Sequence, residues 1–266
     1  MADKNTIDTP AKYNAPALDK GLDILEALAS SDQPQGIADL SRTLRRTPSE
    51  IFRMVGTLER RGYIVRNQAG TFRLSLRLYE LAHMHSPFEQ IINAAAGPMR
   101  RLSDEVRETT VLAALSHGYL IILAEELSML RVRLSVEIGS RVPALSTVSG
   151  QMLIAHMAQE EQERFLAADP EYNSSSAAKQ KKLRSLFDRI RAEGYFIAPS
   201  SYRTGIDIAV PIGNPDIGLM ASLAIPVLAG GLNEGKEKRL AKVMIACAQE
   251  VNRTLCLEPA SKTASD

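Results

Sequence analysis

Thr47-Pro48-Ser49-Glu50-Ile51-Phe52-Arg53-Met54-Val55-Gly56-Thr57-Leu58 opens a helix and decides how the first third of the chain is read. A hydroxyl stands at the N-cap, a proline at the first helical position and a carboxylate three residues after the cap. Thr47 can accept from the Glu50 amide while Glu50 reaches back to the Thr47 amide, which is a capping box. Ile51, Met54, Val55 and Leu58 form one apolar stripe at helical spacing. Ser49, Phe52, Arg53, Gly56 and Arg60 fall on the opposite side. A large aromatic beside an arginine on an outward face is poorly explained by solubility. It suits a helix laid into a DNA groove, where hydroxyls and amides hold phosphate and arginine reads guanine edges. The alternative is a core aromatic flanked by surface charge.

Working outward, Leu18, Leu22, Leu25 and Leu28 recur at helical spacing and predict a first helix over 16–29. A polar connection, 30–34, leads to a short second helix over 37–44 with Ile37, Leu40 and Leu44 inward. After Gly62 the pattern switches to period two. Tyr63-Ile64-Val65 is a strand, Asn67-Gln68-Ala69-Gly70 has turn chemistry, and Phe72-Arg73-Leu74 returns. Three helices followed by a hairpin make a winged helix-turn-helix spanning 16–74. Its expected DNA-facing residues are Arg42, Arg45 and Arg46 before the third helix, Thr47, Ser49, Glu50, Phe52 and Arg53 on it, and Arg66, Asn67 and Arg73 on the wing.

Charge supports a split chain. The formal balance is only +1, yet residues 42–77 carry nine arginines against Glu50 and Glu59, whereas 87–266 is near neutral with 20 basic and 21 acidic residues. A basic module on a neutral one fits a polyanion-binding head on a sensing body, although arginine clusters also occur as plain solvated faces.

Residues 75–86 are amphipathic and stop at Pro87, so a linker helix is expected over 75–87. The body, 88–257, alternates helices (91–106, with a bend near Gly97-Pro98; 148–157; 179–193; 236–257) with strands (110–115, 120–125, 130–136, 206–211, 219–225). Antiparallel strands flanked by helices give an α+β domain. The ends, 1–15 and 258–266, are small, polar and aperiodic and read as tails.

Several classes are disfavoured. No apolar run approaches the roughly 18 residues of a membrane span, and no signal-peptide core opens the chain, so no membrane partner and a cytoplasmic location are expected. Cys247 and Cys256 share one expected helix, about 13 Å apart along its axis, too far to bridge. His83 and His85 are two apart and do not share a helix face, which argues against a metal pair; no metal and no cofactor are expected. There is no Gly-x-Ser-x-Gly elbow, since Ser149 lacks a glycine two positions before it, and no GxGxxG or Walker loop. An enzyme is therefore not expected. A winged helix used for protein contacts is the main alternative, distinguished by the absence of salt-dependent duplex binding.

Landmarks in order along the chain carry a resemblance. Ala17-Leu18-Asp19-Lys20-Gly21-Leu22-Asp23-Ile24-Leu25, Ile37-Ala38-Asp39-Leu40, Ser49 to Leu58 and Gly62-Tyr63-Ile64 are followed by Gly139 to Pro143, Leu145-Ser146-Thr147-Val148-Ser149-Gly150, Ile190 to Tyr195 and Gly205-Ile206-Asp207-Ile208-Ala209-Val210-Pro211. Together they resemble the IclR family of bacterial regulators from about Ala17 to Leu255. The chain departs from the family where Thr47-Pro48 moves the proline on by one, and where Gln151 stands in place of a common lysine.

The resemblance implies a DNA-contacting Arg53, a linker helix and a GAF/PAS-like effector-binding domain whose ligand lies between the sheet and the loop into the helix after the glycine. The expected effector site is Leu145, Ser146, Thr147, Val148, Ser149 and Gly150, with Asp207, Ser222 and Ala224 across the sheet. Hydroxyls and free amides at a helix start favour an anionic group, or merely cap the helix. Asp207 interrupts an apolar strand, so it needs a ligand or a partner such as Arg203. An organic or sugar acid bearing a hydroxyl is the expected effector, and double-stranded operator DNA the expected partner. Symmetric sites call for a homodimer through head and linker helix, and the resemblance implies a dimer of dimers through the bodies. The expected role is control of genes for small-metabolite catabolism, as a repressor or an activator.

Overall fold

The computed structural model describes residues 15–84, 87–228 and 234–257. The expected tails, Ala15 apart, and His85 lie outside the described residues. The chain divides into two compact units, Met1–Ser86 and Pro87–Asp266.

The first unit holds α1 (Pro16–Ala29), α2 (Ile37–Leu44), α3 (Pro48–Arg60), β1 (Ile64–Arg66), β2 (Phe72–Leu74) and α4 (Arg77–Met84). The first two helices start and stop as the sequence predicts, and α3 starts at the predicted proline. The α3 capping box forms: Thr47 accepts from the Glu50 amide, and a Glu50 carboxylate oxygen sits 3.1 Å from the Thr47 amide. β1 and β2 pair antiparallel, Ile64 opposite Leu74, and Gln35 bridges to Phe72. Ile24, Leu28, Leu40, Ile51, Val55, Ile64 and Phe72 form the head core. The α1 stripe is corrected in phase. Ile24 and Leu28 are buried, but Leu18 and Leu22 are 61% and 48% exposed, because α2 and α3 pack against the other edge of the helix.

The second unit runs α5 (Pro87–Val106), β3 (Thr110–Ser116), β4 (Tyr119–Glu126), β5 (Arg141–Pro143), α6 (Val148–Ala155), α7 (Gln159–Ala168), α8 (Pro170–Ser174), α9 (Ala177–Glu193), β6 (Phe196–Pro199), β7 (Gly205–Asn214), β8 (Leu219–Leu228) and α10 (Glu234–Thr254). Six antiparallel strands lie in the order β5-β4-β3-β8-β7-β6. His117 (φ 48°) and Gly118 (φ 84°) are the two residues of the β3–β4 turn, as a two-residue hairpin with both φ values positive requires. α5 runs through Pro98 as one helix.

Alternation sorts the sheet faces. Leu112, Ile208, Val210, Ile212, Ala221, Leu223 and Ile225 pack with α5 and α10. Ala209 and Ala224 face α6 and α9 with Val148, Met152, Phe187 and Ile190. Val111, Ala113 and Leu153 form a smaller cluster on that same side.

The strand expected over 130–136 does not form. Its backbone is held by side chains instead: the Val136 amide donates to Glu125 at 2.6 Å and the Leu134 carbonyl accepts from Thr109 at 2.6 Å. Val132 is 76% exposed, so the alternation had no second layer to pack on. The outer strand is β5, which pairs with β4 through Leu120 and Val142. No described helix is long and apolar enough to cross a membrane.

Candidate functional site

Two constellations stand out, one in each unit. On the head, Ser49, Phe52 and Arg53 are exposed on the outer face of α3, Phe52 by 67%. Arg42 and Arg45 are exposed at the end of α2, and Arg45 takes a left-handed conformation (φ 52°) as its C-cap. These residues form a basic surface around a bare aromatic.

Other expected DNA residues are engaged within the head. Arg46 is half-buried and its Nη2 lies 2.8 Å from Asp23 of α1. Glu50 meets Lys20 Nζ at 2.6 Å. The hydrogen bond from Lys20, then those from Thr47, hold its carboxyl down at about 2. Together the two pairs tie α1 to the segment leading into α3. Thr47 is occupied as the cap. On the wing, Asn67 closes its own turn by accepting from the Thr71 amide at 3.0 Å. Arg66 lies over the Phe72 ring at 5.6 Å, a cation–π contact that still leaves it exposed, and Arg73 is exposed beside it. Sequence spacing could not show that Lys20 and Asp23, a full helix away, are the partners of Glu50 and Arg46.

In the second unit a single 3₁₀ turn, Ala144–Ser146, feeds α6. Thr147 caps the helix, accepting from the Gly150 amide and donating to the Ala144 carbonyl, both at 3.0 Å. A Cβ on Gly150 would lie 2.0 Å from the Ala144 oxygen, so only glycine allows the turn this close. Gln151, on the first turn, donates to the Leu145 carbonyl at 2.7 Å and pins the same turn from within. Ser146 is bonded to Pro143 O and, at 2.6 Å, to the Tyr202 hydroxyl. Ser201 in turn donates to the Ser146 carbonyl. The loop before β7 is thus fastened to the start of α6, a link no local signal could reveal.

Asp207, Ser222 and Ala224 share the α6 face, as period two requires. Asp207 lies opposite Pro226, Ala209 opposite Ala224, and Pro211 opposite Ser222. Asp207 and Ser222 are therefore four residues apart along the strands, about 14 Å, with two alanines between them. Val148 and Met152 of α6 pack on that small-residue floor, and Val148, Ser149 and Gly150 are all buried. Ser222 is wholly buried and its Oγ has no hydrogen-bond partner among the described residues. Such a group costs about 1–3 kcal/mol until something satisfies it.

Asp207 does have a partner. Arg203 contacts its carboxylate and also donates to Val227 O at 2.7 Å and Ile206 O at 3.2 Å. The pair is about four-fifths buried. Near it, burial pushes the Glu108 carboxyl up, and the Arg203 charge opposes that shift. Cys247 is buried, which raises its thiol to about 11, while Cys256 is exposed. No group of three or more metal-ligating side chains occurs among the described residues.

Comparison with known proteins agrees with this division. Residues 17–68 match the IclR helix-turn-helix domain, and 87–253, more than half the chain, match the bacterial transcriptional regulator IclR C-terminal domain. The chain is 29% identical over 194 residues to the HTH-type transcriptional regulator KdgR of Escherichia coli, covering 71% of this chain and 73% of that protein. It is 22% identical over 240 residues to the Pca regulon regulatory protein of Pseudomonas putida, covering 88% and 82%. Among solved structures it is similar to an IclR homologue of Microbacterium hydrocarbonoxydans in complex with 4-hydroxybenzoate, with TM-score 0.74, 26% identity and coverage of 90% and 99%.

Proposed function

From a chain that belongs to the IclR family of bacterial transcriptional regulators, we propose a particular division of labour between its two units. As a family member it is a DNA-binding transcription regulator with an effector-binding domain. We assign operator reading to Ser49, Phe52 and Arg53 of α3. Arg42, Arg45, Arg66 and Arg73 hold phosphates, and Arg46, Thr47, Glu50 and Asn67 keep this surface in shape. Reading DNA without catalysing a reaction, the protein acts in the cytoplasm.

The effector site lies between the start of α6 and the face bearing Asp207, Ala209, Ser222 and Ala224. The observation that carries this reading is the buried, unpartnered Ser222 hydroxyl. A ligand carboxylate suits the Val148 and Ser149 amides at the helix start, or the Arg203 guanidinium once it leaves Asp207. A ligand hydroxyl suits Ser222 or Asp207. The 14 Å between those two means one small ligand engages one end or the other. The effector is thus a small organic or sugar acid carrying a hydroxyl; the 4-hydroxybenzoate of the Microbacterium homologue has both groups. The genes controlled are those for its catabolism, and the protein represses them until the acid arrives.

The assembly is a homodimer through the head. Leu18 and Leu22 on α1, and Leu78, Leu81 and Met84 on α4, are exposed apolar residues on one unit. A dimer of dimers would use exposed apolar residues of the bodies, Met129, Val132 and Ile138.

Duplexes selected by the full chain from a random DNA pool provide the test. Release of a selected duplex is titrated against 4-hydroxybenzoate and a panel of sugar and hydroxy acids. Asp207→Ala or Ser222→Ala should shift or abolish the response without altering ligand-free duplex binding. Unchanged midpoints in both folded variants would remove the site. Salt-independent or absent duplex binding would favour a protein-contact head, and a monomeric mass in light scattering would refute the dimer.

A further inference from the structure

A second cleft, of about 110 Å³, lies at the opposite end of α6 from the Thr147 cap. Its walls include Phe88 from the first turn of α5, Leu115 from β3, Leu153 and Met157 at the end of α6, and Met220 from β8. Ala113 lies opposite Ser222, and two residues further along each strand, on the same face, Leu115 and Met220 both line the cleft. The cleft therefore occupies the α6 side of the sheet, at the end away from Asp207.

One polar ring stands among these apolar walls. His156 Nδ1 lies 2.9 Å from the Met152 carbonyl. A carbonyl only accepts, so Nδ1 carries the proton and Nε2 is left as an acceptor in the neutral ring. Burial lowers the His156 pKa; the Met152 carbonyl opposes this and the nearby Arg191 charge adds to it. The ring is accordingly neutral at pH 7. Glu161, exposed, is the other titratable group among the described residues of the cleft, and no lysine or arginine is among them.

We propose that this cleft is a second ligand site, for a small uncharged molecule with an apolar body and one hydrogen-bond donor, a phenol or short alcohol, whose hydroxyl donates to His156 Nε2. A closed apolar cavity of about 150 Å³ takes up benzene, so a somewhat smaller, partly open one fits a single ring. Carboxylates are turned away, because the described walls offer an acceptor and a carboxylate but no cation. This selectivity is opposite to that of the hydroxy-acid site and does not depend on it. Phe88 also packs into the core between α5 and α10, one residue from the point where the second unit begins. An occupant touching Phe88 can therefore act on the start of α5, provided it binds two states of that helix unequally.

The test is a titration of the full chain, labelled at its methionine methyls, with phenol, benzene and benzoate. The Met157 and Met220 methyls should shift saturably with phenol and benzene and not with benzoate. Met157→Trp fills the cleft and should weaken phenol on the order of tenfold or more. His156→Phe should weaken phenol about three- to tenfold and leave benzene unchanged. Ser222→Val, in the other site, should leave phenol binding as in the wild type. The proposal is overturned by the absence of a saturable shift, by phenol binding that survives His156→Phe unweakened, or by loss of phenol binding in Ser222→Val. Should Met157→Trp fail to fold, the phenol-to-benzene comparison in His156→Phe decides by itself.

Discussion

In the head, the polar groups that shape the surface are tied to one another around the outside of the core: Lys20 to Glu50, Arg46 to Asp23, Asn67 across its own turn. In the second unit the comparable groups lie inside. Ser222 is sealed beneath α6 without a partner, and the Arg203–Asp207 pair is largely buried. The head's ion pairs are thus already made, so a partner on its outer face adds contacts without changing them, although the buried Ser41 hydroxyl and Arg46 Nε have no hydrogen-bond partner among the described residues. The second unit holds groups whose satisfaction changes when a ligand arrives, which is what a sensor needs. Substitutions on the head's outer face should change binding and spare stability, whereas substitutions around α6 should change both.

The largest effect that would sharpen this contrast is expected at Gly150. Gly150→Ala must push the turn carrying Ala144 away from α6, since the new methyl would meet the Ala144 oxygen at 2.0 Å. A loss of about 3 kcal/mol is expected in denaturant unfolding, together with loss of the effector response. A change within about 0.5 kcal/mol would mean the turn yields freely and does not define the site.

Arg53→Ala probes the other side of the comparison. It should weaken binding to a selected duplex by about 1–3 kcal/mol and relax sequence preference, with an unchanged melting temperature. Arg66→Ala should weaken all duplexes alike. Anisotropy titrations that show neither effect would move the DNA surface elsewhere on the head.

The two threonine caps allow a matched test, because each accepts from the amide three residues on. Thr47→Ala and Thr147→Ala should each cost about 1 kcal/mol. Only Thr147→Ala should also shift the effector midpoint. Equal effects of both on that midpoint would break the contrast between the units.

The smallest effect concerns acid. Glu50 titrates at about 2 in the folded head, below its ordinary 4.5, because Lys20 and Thr47 bond the charged form. A depressed carboxyl contributes stability above the unfolded pKa and loses it as pH falls toward the folded one. Amide protection of α3 should therefore fall relative to Glu50→Gln as pH drops from about 4.5 to 2. Parallel behaviour of the two proteins would show that the Lys20 pair is not formed in solution.

Much of the head was legible because its determinants are local. The Thr47-Pro48-Ser49-Glu50 cap, the α3 stripe and the turn between β1 and β2 each act within a few residues, so spacing alone exposes them. Failures came where local and tertiary demands diverged. Leu18 and Leu22 repeat at helical spacing yet face away from the core, while the alternating 130–136 segment has no layer to pack against. α7 was missed because Gln159–Ala168 is mostly polar and buries only Gln162 and Leu166. β6 was missed because it is a four-residue edge strand ending in proline.

By itself the sequence determined the order of the elements in the head, the basic head on a neutral body, and the shared face of Asp207, Ser222 and Ala224, since a strand's side chains alternate whatever lies around it. Tertiary structure alone decided which polar groups are free. Lys20 reaches Glu50 across 30 residues, Tyr202 reaches Ser146 across 56, and α6 closes over Ser222 without offering it a bond. Whether a buried hydroxyl or carboxylate awaits a ligand depends on the atoms that folding brings within about 3 Å of it, and those atoms are supplied by strands, loops and helices far away in the chain.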